Sequence, residues 1–192
     1  EGVKSLNKTE YSVMADRIEA GTFCVAATLA KGNLLIKNLN PKIINSEINL
    51  LKKTGAQIKT DKNKIFIKGP EKIKSIKSIK TKEFPGIPTD LQAQLMVLMC
   101  KATGRSSITE SIFENRFMHV GELQRLGAVI NIKNNRALIQ GNTKFVGAEL
   151  MSSDLRASVA LVLAAIVSVG KSYINRIYHL DRGYEKIENK LK

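Results

Sequence analysis

The sequence predicts an α/β fold assembled from repeated αβ units, with apolar helices at the centre and sheets outside. Three observations predict it. Two sets of glycines recur at one spacing: Gly32, Gly55 and Gly69, then Gly104, Gly127 and Gly141, separated by 23 and then 14 residues. The text between them agrees, GAQIKTDKNKIFIKG at 55–69 lying over GAVINIKNNRALIQG at 127–141. Each unit also opens with an aspartate ahead of an apolar run: Asp16 before Thr22–Ala30, Asp90 before Leu91–Cys100, and Asp154 before Leu155–Val169. These runs are apolar nearly all round, and a helix of that kind is buried on every side. A period of about 64 to 74 residues is too long for a solenoid and fits a duplicated or triplicated αβ unit. Packing three apolar helices together inverts the usual barrel, in which strands form the centre.

Each unit reads α-β-α-β-β, with room for a strand before the first helix. The apolar helix is closed by a glycine, Gly32, Gly104 or Gly170, at the left-handed position where no Cβ is strained. Short strands follow at Leu34–Ile36 and Ser107–Thr109. The next helix is amphipathic. In unit one Asn40 caps it, Pro41 sits at its first position, and Ile44, Ile48 and Leu51 form one stripe before Gly55 ends it. In unit two the stripe is Val120, Leu123 and Leu126, ended by Gly127. Hairpins close the units, pairing Gln57–Thr60 with Lys64–Lys68 and Val129–Ile132 with Ala137–Gln140. The units span about 16–69, 85–141 and 150–192, the third without its closing strands. The barrel is therefore expected to be incomplete at both ends.

The 192 residues carry 31 basic and 17 acidic side chains, a net charge of +14. Of the basic residues 23 are lysine, and Ile, Lys and Asn together fill 58 positions, so the excess reads as a compositional bias of solvated lysines. The lysine-rich stretch 70–84 lacks aromatics for base stacking and reads as a solvated linker or an edge strand. Two cysteines exclude a disulfide scaffold and leave no Cys/His cluster for zinc. The longest uncharged apolar stretch, Ala157–Gly170, is too short to span a bilayer, and no signal peptide opens the chain. The expectation is a protein of a reducing compartment, cut at both ends.

Chemistry concentrates at the openings of the units. Asp16-Arg17, Asp90 and Asp154-x-Arg156 either cap their helices or meet at one end as an anion-binding face. Arginine suits that face because its planar fork matches carboxylate and phosphate. FENRFMH at 113–119 gathers Glu114, Asn115, Arg116 and His119 around a helix start. In RIYHLDRGYE at 176–185, Gly183 marks a close backbone approach. His119 and His179 are too isolated to bind a metal and read as satisfied structural residues. Cys24 and Cys100, on the all-apolar helices, read as buried small hydrophobes.

DRIEAGT at 16–22, PTDLQAQ at 88–94, ENRFMHV at 114–120, DLRAS at 154–158 and NRIYHLDRGYE at 175–185 together resemble the UDP-N-acetylglucosamine 1-carboxyvinyltransferase family. The resemblance covers essentially the whole chain, in order, and is to the C-terminal half of a longer enzyme. It implies the inside-out α/β barrel of the enolpyruvyl transferases. Residues 1–15 would be the crossover from an N-terminal domain of the same chain, and 16–192 the C-terminal domain. It implies transfer of the enolpyruvyl group of phosphoenolpyruvate to the 3′-hydroxyl of UDP-N-acetylglucosamine, with release of phosphate. That is the first committed step of peptidoglycan synthesis in the bacterial cytoplasm. No cofactor or metal is implied, and no nucleic acid or membrane.

By position in the motifs, the resemblance implies that Asp90 contacts the sugar hydroxyl and is the proposed base, and that Ile112 contacts the nucleotide sugar through its backbone. It implies that Arg182 binds phosphoenolpyruvate, with Arg156 and Asp154 beside the same anion. Arg116, Asp16 and Arg17 are further cleft residues. The family's lysine-asparagine pair and proton-donor cysteine belong to the other half, and neither Cys24 nor Cys100 matches that cysteine. Residues 1–192 alone are therefore expected to be inactive. The sibling enolpyruvyl-shikimate-phosphate synthases share fold and reaction type, but FENRFMH and IYHLDRGYE favour the UDP-sugar enzyme. A basic nucleic-acid module is the alternative from another class, and it predicts a steep salt dependence.

Overall fold

The computed structural model describes residues 2–191. Glu1 and Lys192 lie outside it, and with them the outermost positions of the predicted ranges 1–15 and 16–192. Residues 2–16 are exposed and form neither helix nor strand. Helix α1 (Arg17–Leu29) starts where the Asp16 carboxylate accepts the N–H groups of Ile18 at 2.7 Å and Glu19 at 3.1 Å. Such a cap is worth about 1 kcal/mol. Strand β1 (Asn33–Lys37) follows, and then a 3-10 turn over Pro41–Ile44, capped by Asn40, runs into α2 (Asn45–Lys53). Ile44, Ile48 and Leu51 turn inward, as their spacing predicts. The hairpin β2 (Gln57–Asp61) and β3 (Lys64–Lys68) closes the unit, giving an antiparallel sheet in the order β1-β3-β2.

Unit two repeats this plan. Strand β4 (Ile79–Lys80) leads through a 3-10 turn at Thr89–Leu91 into α3 (Gln92–Lys101). Strand β5 (Arg105–Thr109), α4 (His119–Arg125) and the hairpin β6 (Val129–Lys133) and β7 (Arg136–Gln140) complete it, in the sheet order β4-β5-β7-β6. Unit three contributes β8 (Glu149–Met151), α5 (Leu155–Ile166) and β9 (Tyr173–Asn175), then short helices α6 (Tyr178–Asp181) and α7 (Ile187–Lys190). The strand before the apolar helix is present in units two and three, where β4 and β8 pair parallel with β5 and β9.

Two local expectations are sharpened. The stretch 70–84 is packed rather than a free linker, but only Ile79–Lys80 are strand, with single bridges at Lys74 and Thr81; Ile73, Ile79 and Thr81 are buried while its lysines stay exposed. The turn after α1 is closed by Lys31, at φ 55°, and not by Gly32, whose N–H returns to the Ala27 carbonyl at 2.9 Å. Gly104 and Gly170 do take the left-handed conformation, at φ 92° and 90°.

Helices α1, α3 and α5 pack side by side with α3 in the middle, β3 lying on α1 and β7 on α3. Every residue from Gln92 to Cys100 is buried, so α3 is apolar all round because it has neighbours all round. Each large aliphatic side chain buried there stabilises the fold by about 1.5–3 kcal/mol. The last glycines of the repeats have a packing reason. A Cβ at Gly69 or Gly141 would collide with the carbonyl of Ala27 or Ala102, so only glycine lets the sheet approach the helix end. The plan is helices in, sheets out, and it is not closed: the third sheet has two strands among the described residues. No described helix is long and apolar enough to cross a membrane.

Candidate active site

The first turns of the three central helices face one end of the molecule. Gln94 Nε2, in the first turn of α3, donates to Thr22 Oγ1 on α1 and to the Asp90 carbonyl, both at 3.1 Å. Thr22 Oγ1 also bonds the buried Tyr184 hydroxyl at 2.8 Å, tying in the chain after α6. From α5, Arg156 reaches Asp90. The starts of α3 and α5 thus meet at Asp90, with the second turn of α1 beside them.

Asp90 is at the centre of that end. Pro88 occupies the cap position of the 3-10 turn and offers no side-chain cap, so the Asp90 carboxylate is not consumed by its own helix. Its Oδ1 lies 2.8 Å from Arg116 Nη2 and its Oδ2 lies 2.9 Å from Arg156 Nη2. The carboxylate is one-third exposed, at 33%, and retains a lone pair on each oxygen. Asp154 caps α5, accepting the N–H groups of Arg156 and Ala157 at 2.9 Å each, and so fixes where Arg156 starts. A cavity of about 250 Å³ opens between these groups, lined by Thr89, Gln92, Arg116, His119, Asp154 and Arg156.

His119 is buried beside the cavity and its Nε2 has no partner, which departs from the satisfied role expected for it. Burial pushes its pKa down to about 4; Asp154 opposes that shift and Arg116 adds to it. The ring is neutral at pH 7. His179 likewise has both ring nitrogens unpartnered, with its ring 4.3 Å from that of Tyr178.

Behind the cavity sits a residue the sequence reading passed over. Glu110, 2% exposed, directly follows β5, and its Oε1 accepts from Thr81 Oγ1 at 2.7 Å, Ile112 N at 2.9 Å and Phe113 N at 3.3 Å. Its Oε2 accepts from Thr89 Oγ1 at 2.8 Å. Thr81 lies in the stretch read as linker or edge strand, and it also holds Ser111 through the backbone N–H and the hydroxyl. A lone acid in ITESI whose carboxylate meets the N–H groups two and three residues on follows the pattern of a helix cap. That was the available signal.

Of the predicted residues, Asp90, Arg116, Arg156 and Asp154 come together. The Ile112 N–H is already given to Glu110, which leaves its carbonyl for a ligand. Arg182 is exposed at the end of α6 and makes no ion pair among the described residues. Gly183 beside it packs on Leu155, the close approach its glycine predicts. Asp16 only caps α1. Arg17 turns away from Asp90, to Glu47 at 4.0 Å and over the Phe84 ring at 5.1 Å. Cys24 and Cys100 are buried, and burial pushes each thiol up to about 12. A second groove, about 290 Å³ between α1 and α5, is lined by Phe23, Leu29, Leu163 and Leu191 and carries no acid–base cluster.

The chain is similar to known proteins along its whole length. The chain is 64% identical over all 192 residues to a protein of Pelagibacter ubique named UDP-N-acetylglucosamine 1-carboxyvinyltransferase, of which it spans 46%. It is 51% identical to a protein of the same name from Desulfosudis oleivorans, again covering 46% of it. The chain thus spans about half the length of the curated relatives it matches. Its fold matches the crystal structure of the enolpyruvyl transferase NikO from Streptomyces tendae, with a TM-score of 0.81 and 26% identity over 93% of this chain and 42% of that one. Residues 1–191 match the family described as EPSP synthase (3-phosphoshikimate 1-carboxyvinyltransferase), and the chain belongs to that family.

Proposed function

We propose that this chain is the C-terminal part of an enzyme that transfers the enolpyruvyl group of phosphoenolpyruvate to the 3′-hydroxyl of UDP-N-acetylglucosamine. Residues 1–15 are then the crossover from an N-terminal domain and 16–192 the C-terminal domain. The observation that carries this reading is the 64% identity, along the whole chain, to a relative bearing that activity's name.

The chemistry divides among the residues as follows. Asp90 takes the proton of the sugar hydroxyl as its oxygen bonds to C2 of phosphoenolpyruvate, while C3 gains a proton. The C2–O bond to phosphate then breaks, C3 gives up a proton, the double bond re-forms and phosphate leaves. Arg116, Arg156 and Arg182 hold the phosphate and carboxylate charge. In the ligand-free state two of these guanidiniums rest on Asp90. An arriving anion draws Arg156 over, which frees Oδ2 of the carboxylate to act as base, while Arg116, tethered by Thr89, keeps Oδ1 in place. The resemblance places the proton donor for C3, a cysteine, in the other half of the enzyme, and neither Cys24 nor Cys100, both buried, stands in for it. The product is committed to bacterial cell-wall synthesis in the cytoplasm, and through it to cell shape and division.

The test is phosphate release by the full-length protein with phosphoenolpyruvate and either UDP-N-acetylglucosamine or shikimate 3-phosphate. Turnover with the UDP-sugar alone is expected, and none by residues 1–192 in isolation. Turnover with shikimate 3-phosphate alone would overturn the assignment.

A further inference from the structure

Glu110 is a buried carboxylate that pairs with no cation among the described residues, and of its partners Thr89 is the one that lines the cavity. The route through Thr89 is the informative one. Thr89 Oγ1 lies 2.8 Å from Glu110 Oε2 and 2.8 Å from Arg116 Nη1. Guanidinium nitrogens only donate, so Thr89 must accept from Arg116. Its single proton is then given to Glu110. The carboxylate thereby fixes the rotation of the threonine hydroxyl and aims a lone pair at Arg116. Arg116 is held by one nitrogen on Thr89 and by the other on Asp90 Oδ1, at 2.8 Å. The backbone of Glu110 is held at both polar groups: its N–H donates to the Asn135 carbonyl at 2.8 Å and its carbonyl accepts from Asn135 Nδ2 at 2.9 Å.

We propose that Glu110 is a positioning residue for the transfer reaction. Through Thr89 it sets the guanidinium of Arg116 against Asp90, and through its other oxygen it holds the backbone N–H groups of residues 112 and 113. This rests on the functional reading above, in which Asp90 is the base. One carboxylate then aligns an ion pair and a backbone turn that come from different parts of the chain. A glutamine cannot do both. If its oxygen faces the two backbone N–H groups, its amide faces Thr89 and displaces the hydroxyl proton. If it is flipped, the amide opposes the N–H groups.

The experiment compares Thr89→Val, Thr89→Ser, Glu110→Gln and the double variant Thr89→Val with Glu110→Gln, all in the full-length protein. Misplacing a catalytic group by a fraction of an ångström to an ångström costs up to about 100-fold. Thr89→Val is expected to lower kcat about 10- to 100-fold, with KM for UDP-N-acetylglucosamine within about 3-fold. Thr89→Ser, which keeps the hydroxyl, is expected to restore kcat to within about 3-fold, and the double variant to be no worse than the poorer single one. A second readout needs no turnover. The side-chain 15N signals of Arg116 in ligand-free protein should be resolved and slow to exchange in the wild type and Thr89→Ser, and averaged in Thr89→Val and Glu110→Gln. A wild-type kcat in Thr89→Val, additive effects in the double variant, or unchanged Arg116 signals in both relay variants would each overturn the proposal. If the wild-type protein does not turn over the UDP-sugar, the functional reading fails, and the Arg116 signals still decide the relay.

Discussion

Asp16 and Asp90 occupy the same place in two copies of one repeat, and they do different work. At Asp16 the helix begins at once, and the carboxylate is taken up by the N–H groups of Ile18 and Glu19. Asp154 behaves in the same way at α5. At Asp90 the chain arrives through Pro88 and makes a 3-10 turn first, so the carboxylate falls inside the turn and stays free. Two guanidiniums take it instead. The arginines diverge likewise: Arg156 faces Asp90, whereas Arg17 has a buried glutamate, Glu47, on the helix beside it and turns there. A shift in how the helix starts is enough to convert a structural carboxylate into one available for chemistry.

Substitutions can break that contrast. The largest effect is expected for Asp90→Asn, which should lower turnover of the full-length protein by about 100- to 10,000-fold, the usual range for a positioned base. The fold should survive, since Asp90 caps nothing. Asp16→Ala should leave turnover within a few-fold, and a loss comparable to that of Asp90→Asn would erase the distinction.

Next comes acid sensitivity at the Asp90 end, where His119 has no counterpart near Asp16. The folded pKa is about 4, against an ordinary value of 6.5. Below pH 6.5 the unfolded chain takes up a proton that the folded ring refuses. Stability is therefore full above that pH, falls as pH drops, and levels off near pH 4. The loss amounts to roughly 3 kcal/mol at 1.36 kcal/mol per unit. Urea unfolding at about pH 7.5 and 4.5 should show a smaller acid penalty for His119→Leu than for the wild type. An equal penalty would mean the ring is not the group responsible. The smallest effect is the cap itself: Asp16→Ala should cost about 1 kcal/mol in the same assay. A loss several times larger would show that Asp16 does more than cap.

Much of this was legible in the residues. The glycine spacings gave the unit, and the all-apolar runs identified the three central helices because burial on every side leaves no polar face to mark. The PTD, FENR and DLR segments pointed to Asp90, Arg116 and Arg156, which do meet. What stayed hidden depended on tertiary partners. Nothing local to Asp16-Arg17 announces that Glu47 will claim the arginine. Glu110 and Thr81 come together from segments 29 residues apart, one of them read as linker or edge strand. The closing of α1 by Lys31 in place of Gly32 is a choice between adjacent residues that composition does not decide.

The sheet orders carry one more consequence. Strands β5 and β9 each have a parallel neighbour, supplied by the segment that leads into their unit, whereas β1 has β3 on one side and nothing on the other among the described residues. Its outer row of N–H and C=O groups is unpaired, and Leu35 on it is 48% exposed. Such a row is a template for strand addition, whether by another segment or by a second copy. That five-residue edge is where a further strand would add to this sheet.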